Sequence, residues 1–257
     1  MRTTAYRLTT RHEGICFKAA VVADLHDRPY GAILPVLRRE RPDFILVPGD
    51  LTETLRAGEE TSEREGLRLL AECAAIAPTF YTLGNHEIGG CHRNIRTAKR
   101  ADEPLTFTLT PAWRRIIDAT GAVFIGQDYT VRDGLVIGGL GSGLLNPGWV
   151  PDLSRMEDFA SLPGYKLLMS HHPEYYARYL RPYDIDLIVS GHAHGGQWRI
   201  FGRGVYAPDQ GLFPAYTSGL HEGRLIISRG VANSVPLIPR FFNPCEVVTV
   251  TVESEKK

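Results

Sequence analysis

Asp, Asn and His residues gather at five places along this chain, each directly after a short apolar run. They are, in chain order, Asp24, His26, Asp50, Asn85, His86, His171, His192 and His194. Carboxylate, amide and imidazole groups without a thiolate form a ligand set that suits Mn, Fe or Zn. The sequence therefore predicts a site for divalent metal ions.

Each of these residues also has an ordinary structural explanation when it is considered alone. Asp and Asn are common in turns, because their side chains hydrogen-bond to nearby backbone groups. Recurrence after five successive apolar runs favours the metal interpretation over separate turns. At the fourth place His172 directly follows His171 and is the alternative ligand. Three other histidines lie outside these motifs, and we expect His12, His92 and His221 at the surface.

The apolar runs have the length and composition of β-strands buried on both faces. They span Phe17–Ala23, Phe44–Val47, Phe80–Leu83, Tyr165–Met169 and Asp186–Val189. Helical patterns lie between them, at Tyr30–Arg41, Thr61–Ala77 and Pro111–Ala119. Alternating strands and helices predict an α/β fold with parallel strands, in which ligands collect at the carboxyl ends of the strands.

Shorter strands in the middle and the last third of the chain predict a second sheet. They are Val123–Ile125, Tyr129–Arg132, Leu135–Gly139, Gln197–Ile200, Leu225–Ser228 and Val247–Val252. Asp133-Gly134 has the residue types of a tight hairpin turn. No repeat, linker or low-complexity tract divides the chain, so we expect a single domain over residues 1–257.

The composition is that of an ordinary globular protein without a strong charge bias. Lys plus Arg and Asp plus Glu both number 29, so the formal net charge is zero, and a broad nucleic-acid footprint is not indicated. The four cysteines show no metal or disulfide spacing, and no apolar stretch approaches the roughly 20 residues of a membrane span. We therefore expect free thiols and a cytoplasmic protein. The oligomeric state is not predicted.

The ordered motifs together resemble the calcineurin-like metallophosphoesterases, from about Phe17 to Val252. The motifs read Asp24-Leu25-His26, Gly49-Asp50, Gly84-Asn85-His86-Glu87, Ser170-His171 and Gly191-His192-Ala193-His194. The continuation Gly195-Gly196-Gln197 is similar to a bacterial phosphodiesterase branch, which usually has Thr where this chain has Ala193. The resemblance implies a four-layer α/β/β/α sandwich of two mixed sheets flanked by helices, in agreement with the two sheets predicted above.

The resemblance also implies two divalent metal ions, Mn²⁺, Fe²⁺/³⁺ or Zn²⁺, and a role for each motif residue. The ligands of the first metal would be Asp24, His26, Asp50 and His194. The ligands of the second would be Asp50, Asn85, His171 and His192. A hydroxide bridging the metals would attack phosphorus, with His86 as general acid. Glu87 is a candidate to orient His86.

The function implied is a phosphodiesterase or pyrophosphatase acting on a phosphorylated small-molecule or lipid-linked substrate. The alternative on the same metal core is a phosphomonoesterase or protein phosphatase, but Gly49-Asp50-Leu51-Thr52-Glu53 departs from the GDxVDRG of protein phosphatases. A non-catalytic scaffold is the third hypothesis, and retention of every predicted ligand and of His86 argues against it. No transmembrane segment is visible, whereas peripheral membrane contact stays open.

Three further segments have two interpretations each. Gly138–Gly143 is not a P-loop, because no GK[ST] follows, and we expect a loop in which backbones approach closely. Arg93–Arg100 is either a solvated basic face or a loop that attracts an anionic substrate. Large apolar residues near the motifs would form a substrate mouth, a partner surface or ordinary packing beneath long loops. These are Leu144, Leu145, Trp149, Phe201, Tyr206, Phe213 and Tyr216.

Overall fold

The computed structural model describes residues 1–53, 61–93, 104–105, 107–142, 150–235 and 237–255. The strands are β1 (Arg2–Thr10), β2 (Cys16–Val21), β3 (Phe44–Val47), β4 (Thr79–Tyr81), β5 (Cys91–Arg93), β6 (Pro104–Leu105), β7 (Phe107–Leu109), β8 (Val123–Phe124), β9 (Tyr129–Arg132), β10 (Leu135–Leu140), β11 (Val150–Pro151), β12 (Tyr165–Ser170), β13 (Leu187–Ser190), β14 (Arg199–Ile200), β15 (Arg203–Gly204), β16 (Tyr206–Ala207), β17 (Gly211–Leu212), β18 (Gly219–His221), β19 (Leu225–Ile227) and β20 (Glu246–Ser254). The α-helices are α1 (Leu34–Glu40), α2 (Glu65–Ile76), α3 (Pro111–Ala119) and α4 (Met156–Ser161).

Two six-stranded mixed sheets form the centre of the fold. The first has the order β1-β20-β2-β3-β4-β8, and β2, β3, β4 and β8 run parallel in it. The second has the order β18-β19-β13-β12-β10-β9, with four parallel central strands between antiparallel edges. The strands that precede the five motifs are thus divided, three in the first sheet and two in the second.

Helices cover the outer faces of both sheets. The inner faces share one core, to which Val21 and Leu167 belong. On the outer face of the first sheet Leu70 of α2 and Trp113 of α3 are buried, and on that of the second Phe159 of α4 is buried. The predicted four-layer α/β/β/α sandwich is therefore confirmed.

Local sequence explains where several elements begin and turn. Helix α1 begins at Leu34 with Pro35 in its first turn, where the missing N–H of proline leaves no helical hydrogen bond unmade. The prediction of a start at Tyr30 was therefore too early. Asp133 and Gly134, with φ of 50° and 79°, form the predicted hairpin turn between β9 and β10.

Four strands differ from the sequence-based predictions, and one of them, β14, pairs with β15 in a separate two-stranded sheet instead of joining the second sheet. Strand β1 was not predicted, yet it pairs in parallel with β20 along nine residues. β8 and β20, which the sequence assigned to the second sheet, belong to the first. The pairing of β1 with β20 joins the two ends of the chain, and local periodicity contains no information about such distant partners.

The glycine-rich segment was also predicted only in part. Gly138 and Gly139 lie inside β10 rather than in a loop, and Gly143 lies outside the described residues. A Cβ on Gly139 would lie 2.2 Å from the carbonyl oxygen of Ile125, so close backbone approach is the reason for glycine there. No helix in the described part of the chain is long and apolar enough to cross a bilayer.

Candidate metal centre

The predicted ligands come from strand ends of both sheets and meet at one edge of the sandwich. Asp24, Asp50 and Asn85 follow β2, β3 and β4 of the first sheet. His171 and His192 follow β12 and β13 of the second. All five residues are buried, none with more than 9% of its surface exposed. Neighbouring parallel strands end at the same edge, which explains why residues so distant in sequence converge.

The backbone at most of these positions is in the left-handed region. Positive φ occurs at five of the seven predicted ligands, namely Asp24 (59°), His26 (53°), Asp50 (53°), His192 (65°) and His194 (47°). Such a conformation costs a non-glycine residue on the order of 1–3 kcal/mol, and it concentrates at functional sites. Hydrogen bonds between the loops hold it, including the one from the backbone N–H of His26 to the carbonyl oxygen of Asp50, 3.1 Å.

Among the described residues, two groups of potential ligand atoms consist of predicted ligands only. Within each group the atoms lie no more than 4.8 Å apart. The first group is Asp24, His26 and His194, in which the two imidazole Nε2 atoms are 3.2 Å apart. Asp50, His171 and His192 form the second.

Asp50 lies between the two groups and is within reach of both. Its Oδ2 is 3.1 Å from His171 Nε2 and 3.7 Å from His26 Nε2. Its Oδ1 accepts a hydrogen bond from the backbone N–H of His86, 3.0 Å. Glycine is required beside it, because a Cβ on Gly84 would lie 2.1 Å from Asp50 Oδ1.

Unpartnered buried oxygens show that the site fits cations. Asp24 Oδ1 accepts a hydrogen bond from the backbone N–H of His192, 2.9 Å. Asp24 Oδ2 and Asn85 Oδ1 are buried and have no hydrogen-bond partner among the described residues. Buried acceptors without partners cost free energy unless a ligand satisfies them. An oxygen-preferring divalent ion is such a ligand.

The histidines of the two groups differ in ionisation: those of the first group are ready to bind a metal ion, whereas His171 must first lose a proton. Burial lowers the pKa of His26 to about 4, so its imidazole is neutral and has a lone pair to donate at neutral pH. Burial also lowers the pKa of His194. For His171 burial acts in the same direction, but the Asp50 carboxylate outweighs it and raises the pKa to about 9.

The sequence suggested that Glu87 orients His86. In the structure Glu87 instead forms hydrogen bonds with the backbone of the loops behind the site. Its fully buried carboxylate accepts hydrogen bonds from the backbone N–H groups of Gly84, Asp50 and Thr52, at 2.8, 2.9 and 3.1 Å. Burial, and next the charge of Asp50, raise the pKa of Glu87 to about 7. The carboxylate therefore joins the loop after β3 to the loop after β4.

The carboxylate near His86 is that of Glu53. His86 Nδ1 lies 3.4 Å from Glu53 Oε2, and the side chain of His86 is 26% exposed. The other carboxylate oxygen of Glu53 is 3.7 Å from His26 Nδ1. In the sequence, Glu53 stands out only as a departure from the GDxVDRG motif of protein phosphatases. Its position three residues after Asp50, in the same loop, was the one sequence feature that could have indicated a place near the site.

His171 and His172 belong to different surroundings. His171 Nδ1 donates to the carbonyl oxygen of Pro48, 2.9 Å, which directs Nε2 towards Asp50. His172 is hydrogen-bonded to Ser142 and, through Nδ1, to Glu174 Oε1 at 2.9 Å. The structure thus brings His171, the preferred candidate, to Asp50.

The remaining candidates lie away from the two groups. His12 pairs with Asp186 at 3.0 Å, and His221 is near the carbonyl oxygen of Ser218. Phe201, Tyr206 and Phe213 are exposed. The side chains of Cys91 and His92, the stretch 94–100, and Leu144, Leu145 and Trp149 lie outside the described residues.

Comparisons with known proteins give a consistent result. The model of the family described as calcineurin-like phosphoesterase matches residues 17–196. An uncharacterized metallophosphoesterase of Campylobacter jejuni is 25% identical over 91% of this chain, which spans 56% of that protein. An uncharacterized metallophosphoesterase of Aquifex aeolicus is 24% identical over 99% of this chain and 93% of its own length. The phosphodiesterase YaeI of Escherichia coli is 29% identical over 84% of this chain and 76% of its own length.

Proposed function

The chain belongs to the calcineurin-like phosphoesterase family, whose similarity indicates a phosphoester-hydrolysing enzyme, and from this premise we propose a two-metal phosphodiesterase or pyrophosphatase. One observation carries the proposal. Asp50 Oδ2 lies 3.1 Å from Nε2 of His171, in its own ligand group, and 3.7 Å from Nε2 of His26, in the other group. A carboxylate in that position can hold two cations at once.

The proposed ligand sets follow from the two groups. Asp24, His26 and His194 would hold the first ion together with Asp50. His171, His192 and the unpartnered oxygen of Asn85 would hold the second together with Asp50. When bound, two divalent ions supply Lewis-acid activation of water and neutralise charge on phosphoryl oxygens.

The charge of the protein ligands favours an anionic substrate. Asp24 and Asp50 are the two carboxylates in these sets, and the other members are neutral donors. Two divalent cations would leave a net charge of about +2, which attracts phosphate. Asn85 contributes to this excess, because an aspartate in its place would remove one positive charge.

His86 is the proposed general acid. Its Nδ1 faces Glu53 Oε2 at 3.4 Å, and this contact orients the ring. In the proposed role, Nε2 donates the proton to the leaving-group oxygen. The partial exposure of His86 gives the leaving group access, whereas the proposed ligands other than His194 are buried.

The preference for a diester rests on two further observations. The Escherichia coli relative is named a phosphodiesterase. The loop after β3 reads Gly49-Asp50-Leu51-Thr52-Glu53 and lacks the GDxVDRG of protein phosphatases. The alternative, a phosphomonoesterase on the same metal core, differs from the proposal only in the substrate.

Peripheral membrane contact is supported by an exposed apolar surface that includes residues shortly after the last motif in sequence. Phe201, Leu237 and Phe242 are at least 88% exposed, and Ile200, Phe201 and Phe242 line one apolar hollow with Arg199. Isolated exposed apolar residues are ordinary, but a contiguous set flanked by arginine fits a lipid surface. We expect sedimentation with anionic phospholipid vesicles that Phe201→Ser weakens, and equal sedimentation of both proteins would contradict membrane contact.

The assay of choice is hydrolysis of bis(p-nitrophenyl) phosphate beside p-nitrophenyl phosphate by protein reconstituted with Mn²⁺. We expect preference for the diester, and preference for the monoester would select the alternative function. Asp50→Asn should abolish turnover, because it weakens the shared ligand of both ions. The matched control is Asp133→Asn, an exposed aspartate of similar φ (50°) in the β9–β10 turn, which should retain full activity.

A further inference from the structure

Asp209 is a carboxylate outside all five sequence motifs. It lies in the turn between β16 and β17, with φ of 58°. Its backbone carbonyl accepts a hydrogen bond from Arg178 Nη2, 3.3 Å, and its side chain is 19% exposed. Aspartate tolerates the left-handed region, so the turn holds this side chain at a fixed position. We propose that Asp209 is a positioning residue that orients His192 for metal binding.

The structure places one ring nitrogen of His192 beside a carboxylate. Nε2 lies 3.2 Å from Asp209 Oδ2, while the ring also contributes to the group that contains Asp50 and His171. A carboxylate oxygen accepts a hydrogen bond, so Nε2 carries the ring hydrogen and donates a hydrogen bond to Asp209. Nδ1 is then unprotonated, and its lone pair is available to a cation. This step rests on the proposed function, in which His192 is a ligand of the second ion.

The neighbouring histidine leaves Asp209 available to His192. His172 Nδ1 is 3.7 Å from Asp209 Oδ2, too long for a hydrogen bond, and is only 2.9 Å from Glu174 Oε1. The rings of His172 and His192 pack with their centroids 4.0 Å apart. The hydrogen bond with Glu174 therefore fixes the orientation of the His172 ring. The His192 ring packs against His172 on one side and is hydrogen-bonded to Asp209 at Nε2.

A carboxylate that fixes the tautomer of a ligating histidine also raises the basicity of its other nitrogen. Loss of such a partner typically lowers metal affinity by about 10–100-fold. The effect should be confined to the second ion, because no contact joins Asp209 to Asp24, His26 or His194 in the described structure. A lower affinity for one ion only would distinguish a positioning role from a general loss of structure.

The test is competition for Zn²⁺ between the protein and a chromophoric chelator, with two binding constants resolved. We expect wild-type protein to bind two ions, and Asp209→Ala to weaken one of them by about 10–100-fold while the other is retained. Asp209→Asn should weaken it less, because the amide oxygen can still accept from Nε2–H. Asp133→Ala is the control, since it places Ala at a similarly positive φ of 50° far from the site.

A second readout reports the tautomer directly and does not depend on activity. ¹⁵N-detected NMR of the metal-free protein should show the His192 ring protonated at Nε2 in the wild type and a mixture of tautomers in Asp209→Ala. Unchanged binding of both ions by a folded Asp209→Ala protein would overturn the inference, as would equal weakening of both.

The outcomes also distinguish this inference from the function on which it rests. Failure of the wild-type protein to bind two ions would defeat the proposed function itself. Binding of a third ion that Glu174→Gln abolishes would overturn the positioning role. In that case Asp209, Glu174, His172 and His192, whose ligand atoms lie within 4.8 Å of one another, would be ligands themselves.

Discussion

Replacement of Glu87 by Gln tests whether one buried carboxylate holds the metal-binding loops together. Glu87 Oε2 accepts from the N–H groups of Gly84 and Asp50, and Oε1 accepts from that of Thr52. The Glu87→Gln amide has nearly the same shape but only one oxygen. If that oxygen replaces Oε2, two hydrogen bonds are kept and the new NH₂ group faces the Thr52 N–H.

The expected loss of stability follows from that single mismatch. One buried N–H without an acceptor costs about 1–3 kcal/mol. In a domain of this size each kcal/mol corresponds to about 2–4 °C in the unfolding temperature. We therefore expect Glu87→Gln to lower Tm by about 2–12 °C. Since two of the three N–H groups flank or belong to proposed ligands, metal affinity should fall as well.

Thermal unfolding followed by circular dichroism measures the first effect, and chelator competition measures the second. The experiment should be done at pH 8, because burial raises the pKa of Glu87 to about 7 and the wild-type carboxylate is then ionised. Glu72→Gln is the matched control. Glu72 is 43% exposed and its contact with Arg38 is 3.5 Å, so its replacement should change stability by no more than about 0.5 kcal/mol.

Equal unfolding temperatures and metal affinities for wild-type and Glu87→Gln proteins would refute this reasoning. The same holds if Glu72→Gln were as destabilising as Glu87→Gln, because the effect would then not depend on the three backbone donors. A fall in Tm with unchanged metal affinity would show that the carboxylate stabilises the fold without positioning the ligands.

Two further predictions concern catalysis and acid stability. His86→Ala should lower turnover of alkyl phosphodiesters by about 10²–10⁴-fold and that of nitrophenyl esters much less, since a good leaving group needs no general acid; kcat/KM for both substrates decides, and equal losses contradict the role. Glu246→Gln should destabilise the protein by about 3–5 kcal/mol in urea unfolding at pH 7, because it leaves the mostly buried Arg229 without its ionic partner. Burial acts to raise the pKa of Glu246, but the hydrogen bond with Arg229 outweighs it, and the pKa is lowered overall. The stability difference between wild type and Glu246→Gln should therefore be complete above the unfolded pKa of about 4.3 and disappear as pH falls through the lower folded pKa. A pH-independent difference would contradict this account.

The amino-acid sequence by itself determined the elements with a strong local signal. The run that became β3 is continuously apolar, and the run that became β12 is interrupted only by Lys166; such runs in alternation with helices predict parallel strands. The motif residues follow these strands directly, so their convergence at one edge could be predicted without coordinates. The hairpin turn at Asp133-Gly134 was equally local, because only a few residue types adopt two successive positive φ values easily.

Only the tertiary structure decided the partners of residues that are distant in sequence. The parallel pairing of β1 with β20 brings Arg2 opposite Glu246, and no periodicity encodes that partner. The same limit applies to side-chain direction: Glu87 follows His86 in the chain but turns to backbone donors, while Glu53 approaches His86 instead. Asp209 reaches His192 through a turn without any motif. Sequence spacing fixes which strand end a residue occupies, but the packing of two separate sheets fixes which side chain it faces.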